Sequence, residues 1–176
     1  MALKSSSDRY GAVAVAIHWV TAVAVAGLLV SGFRAAGTID PVAKAGLLRV
    51  HAVVGATVLA LTLARIAWWV FADRRPAETA GTPRLQGRAA RAVHVLFYAV
   101  LIGMAASGVG MLALSGAANI LFGGAPGPLP DFMAYAPRIP HGLGALLLVA
   151  LVVVHVAAAL YHQFVLRDRL LGRMGL

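Results

Sequence analysis

Six histidines stand in or beside the longest apolar runs of this chain: His18, His51, His94, His141, His155 and His162. An imidazole can ligate a metal through a neutral ring nitrogen, or carry a proton near neutral pH. Among apolar neighbours such a side chain is costly, and by default it marks function. The chain has no cysteine, which removes disulfides and thiolate-held clusters. Redox chemistry, if the chain performs any, must run on histidine-held metal or an organic cofactor.

Spacing narrows the chemistry. His141 and His155 are fourteen residues apart, so on a helix they share a face and lie ~21 Å apart along the axis. His162 continues that stripe by roughly another 10 Å. His51 falls at the depth of His141, and these two can ligate one centre. His18 falls near the depth of His155, and those two can ligate another; depth alone also permits His18 with His162. A closed zinc site wants four ligands in one place. Pairs of histidines on different helices suit an iron porphyrin with two axial imidazoles, and helix bundles host such sites. With both axial positions filled, the iron passes single electrons and does not bind oxygen. Gly55, Gly142, Gly144 and Ala145 would let a flat macrocycle approach, although small residues also serve ordinary helix packing. Arg65, fourteen residues after His51, is expected at the inner level, near a haem propionate or a quinone; the alternative is snorkelling to headgroups. His94 is expected to mark an interface. His162 suits a quinone or its protons, or simply an interfacial position. Trp19 adjoins His18, and with Trp68 and Trp69 it suits an interfacial belt.

Elements that could position these groups follow from composition. Of the 176 residues, 61% are hydrophobic and 12% charged, about half the charged share of soluble domains. Mean hydropathy is +0.86. Four apolar segments, at about 12–33, 46–71, 92–114 and 140–166, are each long enough for the roughly 20 helical residues that cross a bilayer. Lipid offers no partner to backbone groups, so each must be helical. The fold class is therefore an all-α membrane protein, a four-transmembrane-helix bundle forming a single domain over 1–176. Thr38–Pro41 is a turn. The polar stretch 73–91, with Pro76, Gly81 and Pro83, and the glycine- and proline-rich stretch 116–140 read as loops. The first segment is longer than a signal-peptide core and carries His18-Trp19, so it is expected to be retained.

The net charge of +9 does not point to nucleic acid, because the charges sit between spans. Lys4, Arg9, Arg74, Arg75, Arg84, Arg88, Arg91, Arg167, Arg169 and Arg173 fall on one side. Arg34, Lys44, Arg49 and Arg138 fall on the other. The positive-inside rule places both termini in the cytoplasm.

Ile17-His18-Trp19, Val50-His51-Ala52-Val53-Val54-Gly55 with Arg65, His94 with Tyr98 and Gly108, and the run from His155 through His162, Arg167 and Asp168 to Arg173-Met174 resemble the bacterial cytochrome b561 family. The likeness covers all four spans in order. It implies two haem b groups in a bacterial inner-membrane protein. Its axial ligands would be His18 and His155 for the inner haem and His51 and His141 for the outer, and His162 would lie on the quinone side. It also implies electron transfer between a periplasmic donor and ubiquinone. The donor would be superoxide, as for the superoxide oxidases of the family, or a redox protein. The alternative is a haem-carrying subunit that serves a partner dehydrogenase or cytochrome and has no catalysis alone. The approach to His141, Pro137-Arg138-Ile139-Pro140, departs from the family and leaves the donor open.

Overall fold

The computed structural model describes residues 2–77, 83–168 and 170–175. Gly81 and Arg169, used above for the second loop and the charge balance, lie outside them. Four long helices cross the molecule: α1, Ala12–Gly37; α2, Pro41–Ala67, continued by a π-turn to Ala72; α3, Arg84–Ser115; and α5, Arg138–Tyr161, continued by a π-turn to Leu166. A short α4, Ala117–Phe122, lies between α3 and α5. All four long helices have the length and apolarity of membrane spans.

Local chemistry sets the limits. Asp40 caps α2 by accepting from the Val42 and Ala43 N–H groups, both at 3.2 Å, and Pro41 opens the helix, the arrangement expected of a helix start. α3 ends on Gly116 at φ 71°, a left-handed position that glycine takes without a Cβ penalty.

The helices run further than hydropathy indicated. α3 begins at Arg84, inside the stretch read as loop, because hydropathy marks the hydrocarbon layer and a helix can continue into the headgroup layer with arginines outward. The stretch 116–140 is not all loop: Ala117 and Leu121 are buried under α4, and a short 3-10 turn spans Phe132–Ala134. Arg49 Nε donates to the Leu121 carbonyl at 2.6 Å, which ties α2 to α4 at the end far from the termini.

Packing is uneven. α1 lies along α2, α3 along α5, and α2 along α3, whereas α1–α5 and α2–α5 scarcely approach one another. The central cluster is Val25, Val58 and Leu148, with Leu28, Leu29, Val54, Phe97, Val100, Leu101 and Val152 around it. Large apolar side chains such as Val23, Val53, Val109 and Val153 face outward, as a lipid-facing surface requires.

Each long helix places a side chain of interest every seven residues: His18–Val25–Gly32 on α1, His51–Val58–Arg65 on α2, His94–Leu101–Gly108 on α3, and His141–Leu148–His155–His162 on α5. Seven residues are nearly two turns, so each stripe stays on one face and steps ~10 Å per member. The result is three tiers: a termini-side level, an apolar middle and a far level.

The termini-side end is tied by hydrogen bonds. Ser5 donates to Asp73 through its backbone N–H and its hydroxyl, and Trp68 Nε1 donates to the same carboxylate. Tyr10 N–H donates to the Arg173 carbonyl, Ala77 N–H to the Ser7 carbonyl and Trp19 Nε1 to the Met174 carbonyl. Burial opposes ionisation of Asp73, but the bonds from Ser5, Arg74 and Trp68 outweigh it and hold the carboxyl below its usual range. A depressed carboxyl stabilises the folded arrangement above its unfolded value and loses that contribution as pH falls through the folded one. Hydrogen exchange over residues 3–11 is therefore expected to stay slow at neutral pH and to quicken below the ordinary carboxylate range. Asp73→Ala should show the faster exchange already at pH 7. Slow exchange in that variant at pH 7 would assign the anchoring to other contacts.

Candidate haem-binding site

The structure brings His18 to His155 and His51 to His141. Ring centres stand 6.2 Å apart at the termini-side level and 6.1 Å apart at the far level. Both pairs span the gaps that α1–α5 and α2–α5 packing leaves open. His162 lies beyond the first pair and pairs instead with Asp168 and Gln86.

At the far level, hydrogen bonds settle which nitrogen is free. His141 Nδ1 lies 3.1 Å from the Met104 carbonyl and 2.9 Å from Ser107 Oγ. A carbonyl only accepts, so Nδ1 carries the proton. Ser107 gives its own proton to Met104 O at 2.9 Å, so its oxygen accepts from the ring. His51 repeats the pattern on α1. Nδ1 lies 3.1 Å from Ser31 Oγ, and Ser31 donates to Leu28 O at 3.2 Å, so its oxygen accepts from the ring. In both rings the lone pair is left on Nε2, the form that ligates a metal, with Nδ1–H oriented by its neighbours.

Glycine makes room for both rings. A Cβ on Gly32 would stand 3.0 Å from His51 Cε1, and one on Gly108 would stand 3.4 Å from His141 Cε1. The glycines singled out from the sequence do other work. A Cβ on Gly144 would meet Met104 Sδ at 2.5 Å, one on Gly142 would meet Arg138 Nη1 at 2.7 Å, and Gly55 faces Leu28 at 3.9 Å. Gly144 is thus a packing residue, and Gly142 leaves space for an arginine.

The termini-side level is more crowded. His94 does not stand apart at an interface: its ring centre is 5.5 Å from that of His155, and Nδ1 is 2.6 Å from the Ala90 carbonyl. Phe97 also packs edge-on against His155, at 5.5 Å. Arg65 is half-buried and is an electrostatic neighbour of His18, His94 and His155, at the depth its spacing predicted. Trp19 meets His18 edge-on at 5.2 Å. Trp69 packs on Tyr10 and lies under Arg75, so the tryptophans belong to the tied termini-side end.

Among the described residues, no three or more histidine or carboxylate side chains are grouped to hold a bare ion; the histidines come as facing pairs. Two imidazoles that bind one metal from opposite sides at roughly 2 Å have ring centres about 6 Å apart. Both pairs fit that span. The free Nε2 atoms at the far level and the open helix gaps at both levels suit a flat tetrapyrrole held between each pair. The fold and site define a membrane-spanning helical bundle built for such a group.

Residues 9–175 match the family model described as prokaryotic cytochrome b561. The chain is also 31% identical over 175 residues to a cytochrome b562 of Cereibacter sphaeroides, across 94% of each chain. The chain belongs to the prokaryotic cytochrome b561 family, a family of haem b electron-transfer proteins of the bacterial membrane.

Ser31, Ser107, Gly32 and the ring contact of His94 were not singled out from the sequence. The sevenfold stripe would have pointed to Gly32, which lies fourteen residues after His18. Gly32→Val and Gly108→Val put branched side chains where ring carbons stand, and each is expected to lower the haem content of the purified protein. Gly103→Ala on α3, where a Cβ meets nothing within 4 Å, should leave it unchanged. A pyridine haemochrome assay reads the difference, and full haem content in Gly32→Val would show that the ring has room to shift.

Proposed function

We propose that the chain carries electrons across the membrane between a donor at the far level and the quinone pool at the termini-side level. It would use two haem b groups, one held by His51 and His141 and the other by His18 and His155. The observation that carries the reading is the pair of facing imidazole couples at two depths on one helix, α5. Haem held by these residues would supply one-electron oxidation and reduction.

The remaining residues have separable tasks. Ser107 and Met104 aim His141, and Ser31 aims His51. Val25, Val58 and Leu148 keep the layer between the two levels apolar, which excludes water and stray protons. Arg65 puts a fixed positive charge beside the termini-side pair, suited to a haem propionate or to a quinone oxygen. The arginine and lysine distribution assigns the termini to the cytoplasm, so the far level faces the periplasm of a bacterial inner membrane.

Superoxide is the donor this reading favours. Arg34, Lys44, Arg49 and Arg138 lie on the far side. Of the two acids there, Asp40 is committed to capping α2 and Asp131 to the Met133 N–H. Arg138 is an electrostatic neighbour of His141. A local excess of positive charge raises the encounter rate of a small anion. Ubiquinone is the expected acceptor, with His162 on its side.

Two measurements test this. His141→Ala is expected to halve the haem-to-protein ratio and leave the spectrum of the His18–His155 site. Loss of all haem from a variant that still folds would rule out two separable sites. Stopped-flow mixing of the oxidised protein with superoxide should reduce the haem faster than superoxide dismutates. Unchanged bands would remove superoxide, and failure of the isolated chain to reduce ubiquinone would assign it to a partner-dependent subunit.

A further inference from the structure

We propose that Asp168 is a positioning residue that makes His162 the proton donor for quinone reduction, and that the Gln86 amide occupies the place at Nε2 where a quinone oxygen binds. This inference rests on the quinone reading above and deepens it. His162 begins the π-turn that closes α5, a local form often found at functional sites. The turn ends on Arg167 at φ 56°, a left-handed conformation that side chains with a Cβ rarely adopt. That reversal returns the chain to the ring. Asp168 N–H donates to the His162 carbonyl at 3.3 Å, and the Asp168 carboxylate pairs with His162 Nδ1. Leu170 N–H holds the other carboxylate oxygen at 3.1 Å. The carboxylate only accepts, so Nδ1 keeps its proton and Nε2 is the nitrogen that exchanges one. Nε2 faces the Gln86 side chain at 2.7 Å. The side chains of His162 and Asp168 are 15% and 21% exposed, so water reaches the pair without flooding it.

The chemistry balances. A quinone becomes a quinol by gaining two electrons and two protons, and each carbonyl becomes a hydroxyl. Electrons come one at a time from the donor on the far side. Protonated His162, its charge countered by Asp168, gives the Nε2 proton to a quinone oxygen; an O–H bond forms as the N–H bond breaks. Water at the pair returns a proton to the ring, and a second transfer completes the quinol. Gln86 yields its place on quinone entry. Other charged or titratable side chains at these ends of α3 and α5 are Arg84, Arg88, Arg91, Tyr161 and Arg167. The arginines do not lose protons in an accessible range, and Tyr161 packs edge-on against His162 with ring centres 6.4 Å apart.

The test uses the full haem-loaded chain in nanodiscs with ubiquinone-1. Asp168→Asn should leave the haem spectrum and the donor-side reduction of haem unchanged. It should lower kcat for ubiquinone-1 about 10- to 100-fold with little change in KM. Asp168→Glu should restore most of the rate. Histidine-selective 15N NMR, assigned with His162→Ala, should show the Nδ1-protonated signal of His162 lost or shifted in Asp168→Asn. An unchanged kcat in Asp168→Asn, or a lower one with no recovery in Asp168→Glu, would overturn the proposal. Wild-type protein with intact haem bands and no ubiquinone-1 reduction would overturn the quinone reading itself, an outcome visible before any variant is made.

Discussion

Two imidazoles placed face to face in a lipid layer form an arrangement that the polypeptide alone has little reason to keep. A polar ring facing hydrocarbon costs free energy that a few apolar contacts do not readily offset. At the far level the protein enforces this form on purpose. Ser31 on one helix, and Ser107 and Met104 on another, take the Nδ1 protons of His51 and His141 and so leave both Nε2 atoms basic. A haem iron held between the two rings would resolve that cost. The rest of the bundle follows from that requirement. α1–α2 and α3–α5 pack closely, while the gaps that the histidine pairs span stay open.

The sevenfold stripes convert this local need into a transmembrane arrangement. A seven-residue step holds a face over several turns, so α5 can supply one ligand to each level and still place Leu148 between them. α1 and α2 each reach only one level with a histidine. At the other level α1 carries Gly32, whose missing Cβ leaves room for the His51 ring, and α2 carries Arg65, a fixed charge beside His18 and His155. α3 supplies no paired ligand, but it places His94 at one level and Ser107 and Gly108 at the other. α1 and α2 thus each place a paired histidine at one level and space or a charge at the other, α5 places one at both, and α3 adds a ring at one level and a hydrogen bond and space at the other.

Much of this was legible in the sequence because helical rise is fixed. Depth follows from residue number once a span is known, so the levels of His18, His51, His141, His155 and Arg65 could be read directly. Azimuth could not. Whether His94 faces the bundle or the lipid depends on how α3 is rotated by packing, and spacing within one helix carries no record of that. The same ignorance hid Ser31 and Ser107, whose importance lies in the carbonyls and rings they meet across helices. It also misdirected attention to Gly144, which sits in the right region but lies against Met104. Helix ends were blurred for another reason. Hydropathy reports where hydrocarbon begins, and Arg84–Arg91 stay helical beyond that limit. α4 was masked by the glycines and prolines that flank it.

The two ends of α5 show why one helix can serve different chemistries. At its start, Pro137 and Pro140 bracket Arg138, and His141 follows at once, so the ring that faces His51 lies within one turn of the helix start. At its finish the α-helical hydrogen-bond ladder widens into a π-turn after Tyr161, and the ring of His162 is met by a carboxylate from beyond the helix. An α-helix that simply continued could not bring Asp168 back to a residue six positions earlier, because six residues leave the side chains roughly 120° apart around the axis and about 9 Å apart along it. The widened turn and the left-handed Arg167 are therefore the structural means by which Asp168 reaches His162. Electron transfer tolerates a dry, rigid interior, whereas proton transfer needs water and a titratable ring. On the proposed function, the one stripe step between His155 and His162 would separate the two.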